Sequence, residues 1–227
     1  MPARPITSAP MAVACSDVIG KHAAEAVGFV NHVGLAAASY ASLVKGDTID
    51  VVEMGPPLRE GIRWAPDVYA TASLNYDETM RITIFCRQHK GEHEARNLVR
   101  GRGQYRGFVI TPHCKPFCEA DGTQLATRFS CVGFVIEAYR EAKIDLVVTD
   151  GHRLPSVPWE VLSLAFPVLK RDDWARVNQE YDLGLEPGSS EWHVMLPGYV
   201  VNALARGRDE IRSSPFIPQS KDAYFPS

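Results

Sequence analysis

One helix of this chain opens on a thiol. In Ser130-Cys131-Val132-Gly133-Phe134-Val135-Ile136, Ser130 is a good N-cap, and Val132, Val135, Ile136 and Tyr139 recur at helical spacing. The segment is expected as a capped helix with one buried stripe and Cys131 in its first turn. Unpaired N–H groups and the positive end of the helix dipole gather there. They favour a thiolate, and they can hold the oxyanion of a tetrahedral intermediate.

A nucleophilic thiol needs a base, and the base needs an orienting group. His32 stands in Val30-Asn31-His32-Val33-Gly34-Leu35, and Glu53 in Asp50-Val51-Val52-Glu53-Met54. Residues 32–38 and 48–54 are strand-like. In an antiparallel hairpin turning near Leu43, His32 and Glu53 fall opposite each other, with Cβ atoms ~5 Å apart. Glu53 can then take the Nδ1 proton and fix the imidazole tautomer. Gly34 and Ala36 share the face of His32, leaving room for the helix of Cys131.

These segments resemble the NlpC/P60 superfamily of papain-like cysteine hydrolases. The closer likeness is to its circularly permuted branch, with the YiiX/YycO-type and lecithin retinol acyltransferase-like proteins. His32-Val33-Gly34-Leu35-Ala36 matches the family's histidine strand, Val51-Val52-Glu53-Met54 the next strand, and Cys131-Val132-Gly133-Phe134-Val135 the nucleophile helix. His before Cys is the permuted order. Val132 departs from the usual Ser. Tyr105 stands where the family has a Tyr before the Cys segment, though at longer spacing. The resemblance spans roughly residues 11–149 and implies acyl-enzyme chemistry at an amide, peptide or ester bond.

The rest of the chain is read as an α+β scaffold: a small antiparallel sheet packed on the nucleophile helix, papain-like and permuted. Strands are expected at 11–15, 81–87 and 144–149, with a strand or turn at 108–111 leading into a loop over 112–122. Helices are expected at 17–27, 92–99, 159–166 and near 199–205. Residues 1–169 form the catalytic domain. Residues 170–227 form an extension packed on it, with an irregular tail from about 215.

Two other constellations compete. His89-Lys90-Gly91-Glu92-His93 has the spacing of an inverted zincin, but Gly91 disfavours helix through the motif, which reads as a loop leading into a helix. His113, Cys114 and Cys118 offer an incomplete metal set. Cys15 and Cys86 read as core, and His22, His152 and His193 as structural or exposed. No metal and no cofactor are expected.

The formal charge of −3 gives no general pull toward nucleic acid. The Arg96–Arg106 cluster has almost no interleaved aromatics and reads as a solvated face. The first ten residues hold three prolines and no apolar run, unlike a secretory signal. Five cysteines without secretory context suggest reduced thiols and a cytoplasmic location. The expected function is a cysteine hydrolase with Cys131 as nucleophile, His32 as base and Glu53 as orienting group. Ser130 and Tyr105 are candidates at the substrate or oxyanion. A peptide or amide substrate is favoured, with a lipid ester possible. The alternatives are a lipid acyltransferase or phospholipase, and a non-catalytic binding module on the same fold. Nucleic acid and an integral membrane segment are not expected.

Overall fold

The computed structural model describes residues 4–5, 18–24, 29–36, 48–55, 58–65, 68–70, 72, 74–96 and 106–224, with backbone only for 4–5, 18–24, 68 and 69. The expected strand at 11–15 lies outside the described residues, as do Cys15 and Tyr105.

The architecture is α+β. β1 (Arg4–Pro5), β2 (Val18–Ala24), β3 (Phe29–Ala36), β4 (Ile49–Met54), β5 (Leu58–Trp64) and β6 (Val68–Ala70) form one antiparallel sheet in the order β1-β6-β2-β3-β4-β5. β7 (Cys114–Cys118) and β8 (Gln124–Phe129) form a hairpin, and β9 (Val157–Pro158) pairs with β10 (Glu191–Trp192). Six α-helices accompany them: α1 (Tyr76–Ala95), α2 (Cys131–Glu141), α3 (Trp159–Ala165), α4 (Trp174–Tyr181), α5 (Pro197–Ala205) and α6 (Arg208–Ser213). α2, α3 and α5 all lie against β3. The apolar stripe of α2 is buried, with Val132, Val135, Ile136 and Tyr139 all closed to solvent. No described helix is long and apolar enough to cross a membrane.

The structure departs from the sequence reading in several elements. Residues 81–87 are helix, inside α1. Their alternation suits a strand, but Asn75 and Glu78 form a reciprocal capping box upstream. Ile82, Phe85, Cys86, His89 and His93 then fall on one buried face with helical spacing. The same helix runs through Gly91, where a Cβ would meet open space. One exposed glycine costs a 20-residue helix only ~1 kcal/mol. No separate helix begins at residue 92.

Residues 18–24 are a strand and not a helix. β2 is hydrogen-bonded on both sides, by β3 and β6, and tertiary pairing overrides its weak helical pattern. The loop expected over 112–122 contains β7. Residues 144–149 make a single bridge, Val147 to Phe216, in place of a strand. That bridge also ties down the tail, where Asn202 Nδ2 donates to the carbonyls of Asp222 and Tyr224. Apolar residues on both sides of position 170, from Phe29 to Ala223, belong to one continuous core.

Candidate active site

Each member of the expected trio comes from a different element. Cys131 is the first residue of α2, nearly buried at 3 % exposure. Ser130 caps that helix: its Oγ accepts the Gly133 N–H at 2.9 Å, and its own N–H donates to the His113 carbonyl at 3.0 Å. Ser130 is wholly buried and is not among the residues lining the cavity, and its hydroxyl is engaged at the helix end.

His32 projects from β3 beside a β-bulge. Lys21 pairs with His32 and His22 with Val30, so Asn31 is the extra residue between them. A bulge re-aims neighbouring side chains, and here consecutive residues, Asn31 and His32, both line the cavity. Asn31 Oδ1 is buried without a hydrogen-bond partner among the described residues.

Glu53 lies on β4, only 2 % exposed. The β3–β4 register pairs Leu35 with Val52 and Ala36 with Val51. Carried on, it sets Glu53 opposite Gly34 and His32 opposite Gly55. The strict opposition of His32 and Glu53 expected from the sequence is therefore displaced by two residues. Parity is kept, so both stay on one face as diagonal neighbours, within reach of a long side chain. Glycine at 34 allows the close approach: a Cβ there would stand 2.7 Å from Val51 Cγ1 and 3.4 Å from Glu53 Cβ.

The imidazole meets Glu53 through Nε2, 2.9 Å from Oε2, and not through Nδ1 as expected. Nδ1 is then the ring nitrogen not engaged by Glu53, and Cys131 interacts with the ring by charge and hydrogen bonding. Burial pulls His32 toward its neutral form. The charge and hydrogen bonds of Cys131 and Glu53 outweigh it and lift the His32 pKa to about 9. The side chain keeps 23 % of its surface open.

Two partners were not foreseen. Arg59 of β5 donates Nη2 to Glu53 Oε1, so each carboxylate oxygen has its own cation-capable partner. The signal was present: Glu53 and Arg59 flank Gly55-Pro56-Pro57, a turn composition that brings their strands together. Trp64 walls the other side, its ring centroid 5.0 Å from that of His32.

His32 and Cys131 open onto a cavity of about 570 Å³. Its walls are largely apolar, with Met54, Phe108, Phe166, Pro167 and Val168; Asn31 and Arg171 add polar groups. Arg171 is held in two hydrogen bonds by Asp173.

The competing constellations sort differently. His89 and His93 share the buried face of α1, but His89 pairs with Glu92 at 2.8 Å and His93 Nε2 with the Thr127 carbonyl at 2.8 Å. They pack on Phe129, which makes them part of the core. His193 Nδ1 bonds the Leu154 carbonyl. Cys118 is exposed at the far end of β7 from Cys114, and Glu137 takes its place beside His113 and Cys114.

No family model, curated protein or solved structure matches this chain.

Proposed function

We propose that this protein is a cysteine hydrolase of the permuted papain-like type, cleaving an amide or ester bond through an acyl-enzyme on Cys131. One observation carries the reading: a single imidazole, His32, held between a buried carboxylate and a helix-initial sulfur at the wall of a cavity. An imidazolium beside a thiol favours the thiolate, the form that attacks carbonyls.

In this mechanism the Cys131 sulfur adds to the substrate carbonyl, and the Cys131 backbone N–H donates to the oxyanion. The imidazolium of His32 passes its proton to the leaving nitrogen or oxygen as the carbon–heteroatom bond breaks. Neutral His32 then takes a proton from water. The hydroxide equivalent attacks the thioester, the carboxylic acid leaves, and the expelled Cys131 thiolate is restored as an ion pair with the His32 imidazolium. Glu53 holds the ring and stabilises its cation, and Arg59 holds Glu53.

The walls bear on the substrate. A peptide backbone buried among Met54, Phe108, Phe166, Pro167 and Val168 would leave amides unpaired, at ~1–3 kcal/mol each. The acyl portion is therefore an apolar body, with polar contact at Asn31. This lining favours the second substrate reading, an ester with a hydrophobic acyl chain, over an extended peptide. We place the protein in the cytoplasm, where Cys131 would stay reduced.

The test is a paired series of p-nitrophenyl esters and peptide p-nitroanilides, assayed for wild type and Cys131→Ala, with intact mass measured during turnover. The expected result is Cys131-dependent release that improves with acyl length, and a transient mass increase equal to the acyl group. Turnover unaffected by Cys131→Ala would overturn Cys131 as the nucleophile, and no turnover of either series by wild type, with no covalent adduct, would leave the binding-module reading in its place.

A further inference from the structure

Behind the nucleophile helix lies a second group of ligating side chains that the proposed chemistry does not use. His113 precedes β7, Cys114 begins it, and Glu137 projects from the second half of α2. One ligand atom from each lies within 4.8 Å of the others, the one such trio among the described residues. His113 Nε2 and Glu137 Oε1 are 2.9 Å apart. We propose that His113, Cys114 and Glu137 bind one divalent transition-metal cation, zinc before the others.

The donor set carries the choice of ion. Imidazole, thiolate and carboxylate together suit zinc, whereas calcium and magnesium take oxygen donors. Tetrahedral bonds of about 2.0–2.3 Å set ligand atoms roughly 3.3–3.8 Å apart. The observed spacing reaches that with side-chain shifts of about an ångström. Three protein ligands leave a fourth position for water, and the site is open enough to admit an ion: His113 keeps 12 % and Glu137 16 % of side-chain surface.

The backbone beneath the trio is fixed. The His113 carbonyl accepts the Ser130 N–H, Cys114 pairs with Phe129, and a Cβ at Gly133 would stand 1.9 Å from the His113 oxygen. The ligands are thus tied to the turn that presents Cys131. A cation here would clamp β7 to the nucleophile helix.

Arg140 opposes a cation, since it donates to the same Glu137 oxygen as His113. It also reaches Thr149 Oγ1 at 3.2 Å and Asp145 Oδ1 at 3.4 Å, so it keeps partners when Glu137 turns to the metal. Without metal, burial and the Glu137 charge push the Cys114 thiol up to about 11. Uptake therefore replaces a thiol proton with the cation, and the proton leaves to solvent.

The experiment uses full-length Cys131→Ala protein, so that the Cys131–His32 pair cannot supply a thiolate ligand. Cobalt(II) chloride is titrated while thiolate-to-cobalt charge-transfer absorption is followed. Zinc(II) chloride then competes the cobalt away. One equivalent is expected, with the band abolished by adding Cys114→Ser and affinity lowered at least about 10-fold by adding Glu137→Gln. Far-ultraviolet circular dichroism checks that each variant folds. Absence of the band in the folded Cys131→Ala parent overturns the proposal without any further variant. So does a band that survives Cys114→Ser. Failure leaves the hydrolase reading intact, because that reading is tested by Cys131-dependent turnover and acyl-enzyme mass, neither of which involves Cys114 or Glu137.

Discussion

Two clusters of one histidine, one cysteine and one carboxylate lie at the two faces of one turn, and their surroundings act on different members: on the histidine in the first, on the cysteine in the second. His32 Nε2 bonds Glu53, and the interaction of the ring with Cys131 and Glu53 raises its pKa to about 9. Glu137 bonds His113 and lies within 4.8 Å of Cys114, whose thiol is pushed up to about 11 by burial and the carboxylate charge. The same three residue types give a charged imidazole in the first case and a protonated thiol in the second. Placement adds to the difference: Cys131 opens a helix, and Cys114 opens a strand. Chemistry follows the surroundings of each group and not the composition of the cluster.

The largest expected effect separates the two sulfurs outright. Cys131→Ala should lower turnover by about 10³-fold or more, since the nucleophile has no substitute. Iodoacetamide at pH 6 should alkylate Cys131 and spare Cys114, with exposed Cys118 as an ordinary reference thiol. Peptide mass spectrometry reads both. Labelling of Cys114 ahead of Cys131 would break the comparison.

Exchanging each carboxylate for its amide sharpens it. Glu53→Gln should keep the fold and lower kcat by about 10²-fold, at the low end of a general acid–base contribution. The alkaline limb of its pH–rate profile should move to lower pH, because the carboxylate that raises His32 is gone. Glu137→Gln should speed alkylation of Cys114 at pH 9, because the carboxylate that holds its proton is gone. A Glu53→Gln profile superimposable on wild type would leave Glu53 without its assigned role.

The two trios were legible to different depths. The capped helix of Cys131 rests on local chemistry, Ser130 and the spacing of Val132, Val135, Ile136 and Tyr139, which a single segment carries. The His32–Glu53 pairing was legible in face but not in register, because a two-residue shift preserves every side-chain direction. Arg59 was missed because its role exists only once β4 and β5 pair. Glu137 was invisible as a ligand: it lies 23 residues beyond Cys114, and only the packing of α2 on the β7–β8 hairpin joins them. The α1 segment misled for the opposite reason. Residues 81–87 alternate locally, but the deciding signals, the Asn75–Glu78 box and the buried face reaching His93, extend beyond that window.

Two glycines test how tightly each trio is seated. At Gly133 a Cβ would meet backbone, the His113 carbonyl oxygen at 1.9 Å. Gly133→Ala should destabilise by about 1–3 kcal/mol, read as a lower denaturation midpoint, and disturb both trios through their shared turn. At Gly55 a Cβ would meet only side-chain ends, Arg59 Nη2 at 2.8 Å, Glu53 Oε1 at 3.3 Å and His32 Nε2 at 3.4 Å. Those groups can yield, so Gly55→Ala should lower kcat by roughly 10-fold or less, with KM nearly unchanged. An effect on KM alone would mean that Gly55 matters to binding and not to the relay.

The smallest effect is on stability at alkaline pH, where the trios should titrate in separate windows. His32 has a folded pKa of about 9 against a reference of 6.5. The folded state therefore binds the proton more tightly, and the stabilisation is complete below pH 6.5 and lost as pH rises through 9. Cys114 is likewise raised, from 9.0 to about 11. Its contribution is complete below pH 9 and lost as pH rises through 11. Urea unfolding of metal-free protein in chelator should then show two successive declines. His32→Asn should remove the lower one and Cys114→Ala the upper one. A single decline untouched by either variant would mean that neither trio holds its proton as the contacts require. Loss of both declines in His32→Asn would mean that the trios are coupled through α2, joined by the turn from His113 to Gly133 that both share.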